Sequence, residues 1–205
     1  MTSGILRFEL TTARSGRTVL LFAGGFAFAS LVVALVGLSA GGVLAGQGFA
    51  RTWVSLLQLV IWAVPLVALL AGAAAGAECR EAEFVFALPV SRSDVLLSRW
   101  VAHVVVLGAA LLLGLGVAGI VIGAFAGAAD GLRYLTLPAI ACLLLAACLA
   151  LGLMIGVMAR TRMRALAVAI GAWFVLGIGI DLLAIAALAI LPPGGASWEL
   201  VALLA

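Results

Sequence analysis

The residues able to do chemistry are few in this chain, and half of the acids gather in one stretch. Four of the eight acidic residues, Glu78, Glu81, Glu83 and Asp94, lie between positions 78 and 94, and Arg80 and Arg92 share that stretch. Its first part suits a helix with Glu78, Glu81 and Ala82 on one side. Phe84, Phe86 and Leu88 follow as an apolar cluster. Pro89 stops any helix, because it has no N–H and its ring clashes with the preceding turn. Ser91 or Ser93 can then cap the helix that follows. Apolar anchors with a charged rim are what a docking element for a soluble partner presents. The same residues also suit a solvated loop whose Phe rings dip into a membrane interface.

Two more ionisable residues stand alone in apolar surroundings. Asp181 lies about 24 Å along a helix from Ala165, at about 1.5 Å per residue. A charge at that depth in hydrocarbon costs roughly 2.5–3.5 kcal/mol. It is expected to face a cavity or a partner, or to be protonated. One reading is a translocation or gating carboxylate; the other is an Asp that reaches the interface or bonds a neighbouring helix. His103 lies about 13 Å along a helix from Asp94. It is a candidate for coupling to protonation near neutral pH, or for a hydrogen bond between helices. Met154 and Met158 share a helix face and are soft enough for Cu(I). Cys142 points roughly 120–160° away from them, so no metal site is expected.

The residue types exclude other chemistry. All eleven basic residues are Arg. Without Lys there is no P-loop for ATP and no Schiff base. One His rules out a His-rich zinc site. The three cysteines, Cys79, Cys142 and Cys148, contain no C-x-x-C pair and indicate no disulfide framework. No Ser/His pairing or other catalytic motif is present, so no enzyme is expected.

The elements that carry these residues must be membrane spans. Of 205 residues, 67% are hydrophobic and 9% charged, with mean hydropathy +1.40. A soluble domain carries about 25% charged residues. A soluble enzyme, a disordered chain and a nucleic-acid binder are excluded. Charge-free runs predict an all-α, polytopic bundle of five spans, near 19–44, 53–77, 95–126, 134–159 and 165–191. Residues 18–205 form the membrane domain, with 78–94 as a segment between spans. Residues 1–17 carry Arg7, Arg14 and Arg17 within an arc of roughly 80° and read as an interfacial helix. The N-terminal tail, 78–99 and 160–164 carry three Arg each, whereas the 45–51 and 127–133 loops carry one each. The positive-inside rule then puts the N-terminus and the first three in the cytoplasm. Trp53, Trp100 and Trp198 fall near span ends, where indoles anchor depth. Pro192-Pro193-Gly194-Gly195 marks an outer turn. Gly72/Gly76, Gly152/Gly156 and Gly119/Gly123/Gly127 read as faces for general helix packing.

The 78–94 stretch carries a resemblance. Glu78 and Glu83, then apolar residues, then Leu88-Pro89-Val90-Ser91-Arg92 and a helix opening on Leu96-Leu97 resemble the coupling segment of ABC-2 type permeases. Within that family the chain is most similar to the NosY-type branch, which serves nitrous oxide reductase maturation. The residues concerned are Arg99–His103, the Arg160–Arg164 turn, Gly171-Ala172-Trp173-Phe174 and Asp181-Leu182-Leu183. The resemblance covers about 70–205. It implies six spans, of which this chain has five, so a C-terminal truncation is expected.

It also implies that two permease copies pair and that a separate cytoplasmic ABC ATPase holds ATP and magnesium. The coupling residues would be Glu78, Arg80, Glu81, Glu83, Phe84, Phe86, Pro89, Ser91, Arg92 and Asp94. The expected function is to couple ATP hydrolysis to export, or to work on a periplasmic copper-maturation protein, from the bacterial inner membrane. The alternatives are another ABC-2 exporter permease, for a drug, lipid or ion, and a non-transporting scaffold.

Overall fold

The computed structural model describes residues 17–39, 45–81, 92–126, 134–159 and 161–190. Among them five helices run in order: α1 (Arg17–Ser39), α2 (Ala45–Glu81), α3 (Arg92–Ala126), α4 (Thr136–Met158) and α5 (Arg162–Ile190). Thr52–Glu78, Ser93–Ala124, Thr136–Met158 and Arg162–Gly179 are each long and apolar enough to cross a membrane. The first helix carries the shorter apolar stretch Phe22–Gly37. The chain is therefore an all-helical, multi-pass bundle.

The boundaries differ from expectation at α2. It begins at Ala45, so Arg51 lies inside the helix and not in a loop. At its other end it runs on through Cys79 and Arg80 to Glu81. Its 37 residues span about 56 Å at ~1.5 Å per residue, well beyond ~30 Å of hydrocarbon. In helical form both extensions satisfy their own backbone groups.

The core is a set of stripes at helical spacing. Leu56, Val60, Val64 and Ala68 on α2 are buried, as are Leu107, Leu111 and Leu115 on α3 and Leu137, Ala141, Leu145 and Leu149 on α4. Among the described side chains of α5, Ala165 and Ala169 are buried. Lipid is as apolar as these side chains, so close packing and hydrogen bonds must hold the helices together.

The tightest seam joins α2 to α4, and glycine makes it. Gly72 and Gly76 lie directly against Gly152 and Gly156. A Cβ added at Gly72 would sit 2.6 Å from the Leu149 carbonyl oxygen, and one at Gly152 would sit 2.6 Å from the Leu69 oxygen. These four residues thus define one specific crossing. The third face behaves differently. Gly119 makes room for the Tyr134 ring, and nothing lies within 4 Å of a Cβ at Gly123. On α3, Gly114 admits Phe26 of α1.

Side-chain donors aimed at backbone carbonyls add cross-links between helices. Trp100 Nε1 donates to the Ala146 carbonyl at 3.1 Å, joining α3 to α4. The Tyr134 hydroxyl donates to the Leu115 carbonyl at 2.7 Å. Trp173 Nε1 donates to the Trp62 carbonyl at 3.0 Å, joining α5 to α2. The Trp62 carbonyl lies in the turn before Pro65, which lacks the N–H that would close on Ile61.

Candidate functional site

One end of the bundle collects the charged residues. The last turns of α2 bring Glu78 there, the first turns of α3 bring Asp94 and Arg99, and the start of α5 brings Thr161, Arg162 and Arg164. Glu78 and Arg162 form an ion pair at 3.4 Å across α2 and α5, with side chains 49% and 56% exposed. Arg99 reaches from α3 to α2, where its Nη1 donates to the Ala75 carbonyl at 2.7 Å. Helix α2 is therefore tied to α3 and α5 one turn apart, just before the 82–91 stretch.

Local chemistry shapes the start of α5. Thr161 precedes the helix, and its Oγ1 accepts the Arg164 N–H at 3.3 Å. Its carbonyl accepts the Ala165 N–H at 3.0 Å. Arg162 and Arg164 place positive charge at a helix N-terminus, where the macrodipole disfavours it. Glu78 offsets part of that cost. Asp94 sits in the first turn of α3, where the same dipole favours an anion.

The expected coupling residues fall into two sets. Glu78 and Asp94 are described and exposed. Arg80 and Glu81 close α2 and Arg92 opens α3. Glu83, Phe84, Phe86, Pro89 and Ser91 lie outside the described residues. So do residues 1–16, the 192–195 turn and Trp198. Of the two expected caps, Ser93 lies inside α3, which leaves Ser91 as the residue preceding the helix.

His103 sits one turn beyond Arg99. Its Nδ1 donates to the Arg99 carbonyl at 2.9 Å, a bond within α3 and not between helices. Asp181 lies in α5, nineteen residues beyond Arg162, so it is about 28 Å from the charged end at ~1.5 Å per residue. The two candidate gating residues are on different helices and far apart in depth.

Met154 and Met158 are exposed, Cys142 is half-buried and Cys148 is buried. Among the described residues there is no group of three or more His, Cys, Asp or Glu. The two Met instead line an apolar groove of about 450 Å³ between α3 and α4, with Leu96, Leu97, Trp100 and Leu153. Ser93 stands in its lining near the charged end.

Three features were not drawn from the sequence as a site. Arg162 read as a topology charge and turned out to pair with Glu78. Arg99 read as part of a similarity motif and turned out to clamp α2. Trp62 and Trp173, both away from span ends, stack edge to face at 5.4 Å between ring centroids, and Trp173 meets Phe174 at 4.8 Å. The available signal was their depth: a mid-span indole needs an acceptor for its N–H.

The structure is thus a helical membrane bundle with most of its described charged residues gathered at one end. The chain matches the family model of the ABC-2 family transporter protein over residues 45–196, about three quarters of its length. It belongs to that family, which makes it the membrane component of an ABC transporter. The match takes in α2 to α5 and leaves α1 outside. No curated protein matches the chain.

Proposed function

We propose that this chain is the permease subunit of an ABC exporter, driven by a separate cytoplasmic ATPase that grips the 78–94 segment. The observation that carries this reading is the double tie at the end of α2. Force applied to the segment beyond Glu81 acts on α2 directly, on α3 through Arg99–Ala75 and on α5 through Glu78–Arg162. The glycine seam passes it on to α4. The arginine distribution supports a cytoplasmic position for the segment and for the N-terminus. A second copy of the chain is the expected membrane partner. The bacterial inner membrane is the expected location.

Affinity capture of the intact protein tests this reading. An ABC ATPase should copurify. Reversing the charge of Arg92 together with deleting Phe84–Phe86 should abolish copurification and leave membrane insertion intact. Unchanged copurification would remove the docking role.

The narrower reading, work on a periplasmic partner in copper-site maturation of nitrous oxide reductase, rests on the sequence similarity at 99–103, 160–164, 171–174 and 181–183. Deleting the gene in a host that makes that reductase should leave the enzyme short of copper, and a fully loaded enzyme would exclude this branch.

A further inference from the structure

The groove between α3 and α4 starts at the charged end of the bundle. On α3 its lining runs from Ser93 to Trp100, and on α4 from Ala150 to Met158. The two helices run antiparallel. The Tyr134 hydroxyl reaches the Leu115 carbonyl, and twelve residues later the Ala146 carbonyl meets Trp100, nearer the start of α3. Ser93 and Met158 therefore stand at the mouth, and Trp100 and Ala150 at the inner end. Just beyond Ala150, the Trp100–Ala146 hydrogen bond closes α3 onto α4. Ala150 and Met158 are eight residues apart, which makes the groove about 12 Å long at ~1.5 Å per residue.

Its walls are apolar below Ser93, and the Trp100 N–H is already spent on Ala146. Ordered water needs two to four polar partners, which these side chains do not offer. The groove is instead continuous with the lipid-facing surface. Ile140, Leu143, Ala147 and Leu151 are exposed at helical spacing along α4, and Met154 and Met158 complete that stripe. The whole stripe lies within Thr136–Met158, a stretch long and apolar enough to cross a membrane.

Size and direction select the occupant. About 450 Å³ spread over ~12 Å leaves a channel roughly 6–7 Å across, narrower than the ~10–12 Å of a helix with its side chains. One flexible chain fits, and a further span does not. The groove follows the helix axes inward from the end where Glu78, Asp94, Arg162 and Arg164 stand exposed. A phospholipid of that leaflet has the same layout, with a polar head among charges and tails running inward along the bilayer normal. Lipid gives apolar surfaces no hydrophobic reason to associate. A gap that no helix can fill leaves its lining atoms without partners, and a chain seated in it restores those contacts.

We infer that the α3–α4 groove is a lipid site, which holds one acyl chain of a phospholipid from the leaflet at the charged end. The headgroup lies beyond Ser93 and Met158, and the chain runs down to Trp100. The inference rests on the bundle standing in a bilayer and is independent of the ATPase.

The test reconstitutes the full chain in phospholipid nanodiscs with a trace of a phospholipid that carries a diazirine on its acyl chain. After irradiation, labelled residues are mapped by mass spectrometry. Val168 of α5 is the control, because it is 55% exposed against 62% for Met154. It also stands at a similar depth, six residues inside Arg162 where Met154 is four inside Met158. Leu97, Met154 and Val157 should carry severalfold more label than Val168. Met154→Trp puts a large ring into the groove from an exposed position. It should cut the label at Leu97 and Val157 severalfold and leave Val168 unchanged, whereas Met154→Leu should leave all three unchanged. Protease protection checks that each variant is inserted. Equal label in the groove and at Val168 would reduce the groove to ordinary lipid contact and overturn the site. So would groove label that Met154→Trp does not lower. A last arm replaces Cys79, Cys142 and Cys148 by Ala and adds Met158→Cys. Under oxidant in membranes this variant should stay uncross-linked, and a disulfide between two copies would give the groove to a second copy and overturn the lipid site.

Discussion

Arg99, Trp100, Tyr134 and Trp173 all direct a donor at the carbonyl of another segment. In hydrocarbon the alternative to such a bond is an unsatisfied polar group, yet bonds between membrane helices average only about 0.6 kcal/mol and reach about 1.7. Trp173 should stand near the top of that range. It also loses its edge-to-face contact with Trp62 when removed, and aromatic pairs contribute about 0.5–1.5 kcal/mol beyond burial. Trp173→Phe keeps a six-membered aromatic ring but deletes the N–H together with the rest of the indole, so it should cost at least about 0.5–1.5 kcal/mol in a reversible unfolding measurement in bicelles. Trp173→Ala should cost clearly more. Equal stability of Trp173→Phe and the native chain would mean that the Trp173 bond to the Trp62 carbonyl contributes nothing to stability.

Among the elements, α2 and α4 meet where glycine leaves no room for a Cβ. At Gly72, Gly76 and Gly152 the nearest atoms are backbone of the facing helix, which cannot swing aside as a side chain can. Gly152→Leu should push α2 and α4 apart and cost about 3 kcal/mol or more, above the usual range for overpacking. Gly123→Leu, where nothing lies within 4 Å, should stay within about 1 kcal/mol of the native chain. Thermal stability of the two variants in detergent separates these outcomes, and similar losses would show that the seam is not specific.

The comparison also shows what the sequence could convey. Hydrophobic run lengths located all five helices, because spanning hydrocarbon imposes a length. They missed the helical extension from Ala45 to Arg51, because outside the hydrocarbon nothing requires an apolar residue. The Gly-x-x-x-Gly pairs were visible, but spacing alone could not say that Gly72/Gly76 would meet Gly152/Gly156 while Gly123 met nothing. Of the candidate site, the clustering of charge was legible. The pairing of Glu78 with Arg162, 84 positions apart in sequence, was not, because it depends on which helix lies beside α2.

For the whole molecule the question is how a push at one end becomes movement across the bundle. The Glu78–Arg162 pair is half exposed, and exposed pairs contribute about 0–1 kcal/mol. Its loss should therefore leave folding and insertion nearly intact. Its place matters more, since it joins the helix that enters the 78–94 segment to α5, which buries only Ala165 and Ala169 among its described side chains. In the proposed machine, Glu78→Arg should place like charges side by side, loosen α5 from α2 and lower transport-linked ATP turnover severalfold in the reconstituted complex. Arg162→Glu should do the same. The double exchange, Glu78→Arg with Arg162→Glu, recreates the pair in reverse and also moves negative charge to the start of α5, where the helix dipole favours it. It should restore turnover to within about twofold of the native complex. A double variant no better than either single one would mean that each residue acts on the ATPase by itself, with no mechanical link from α2 to α5.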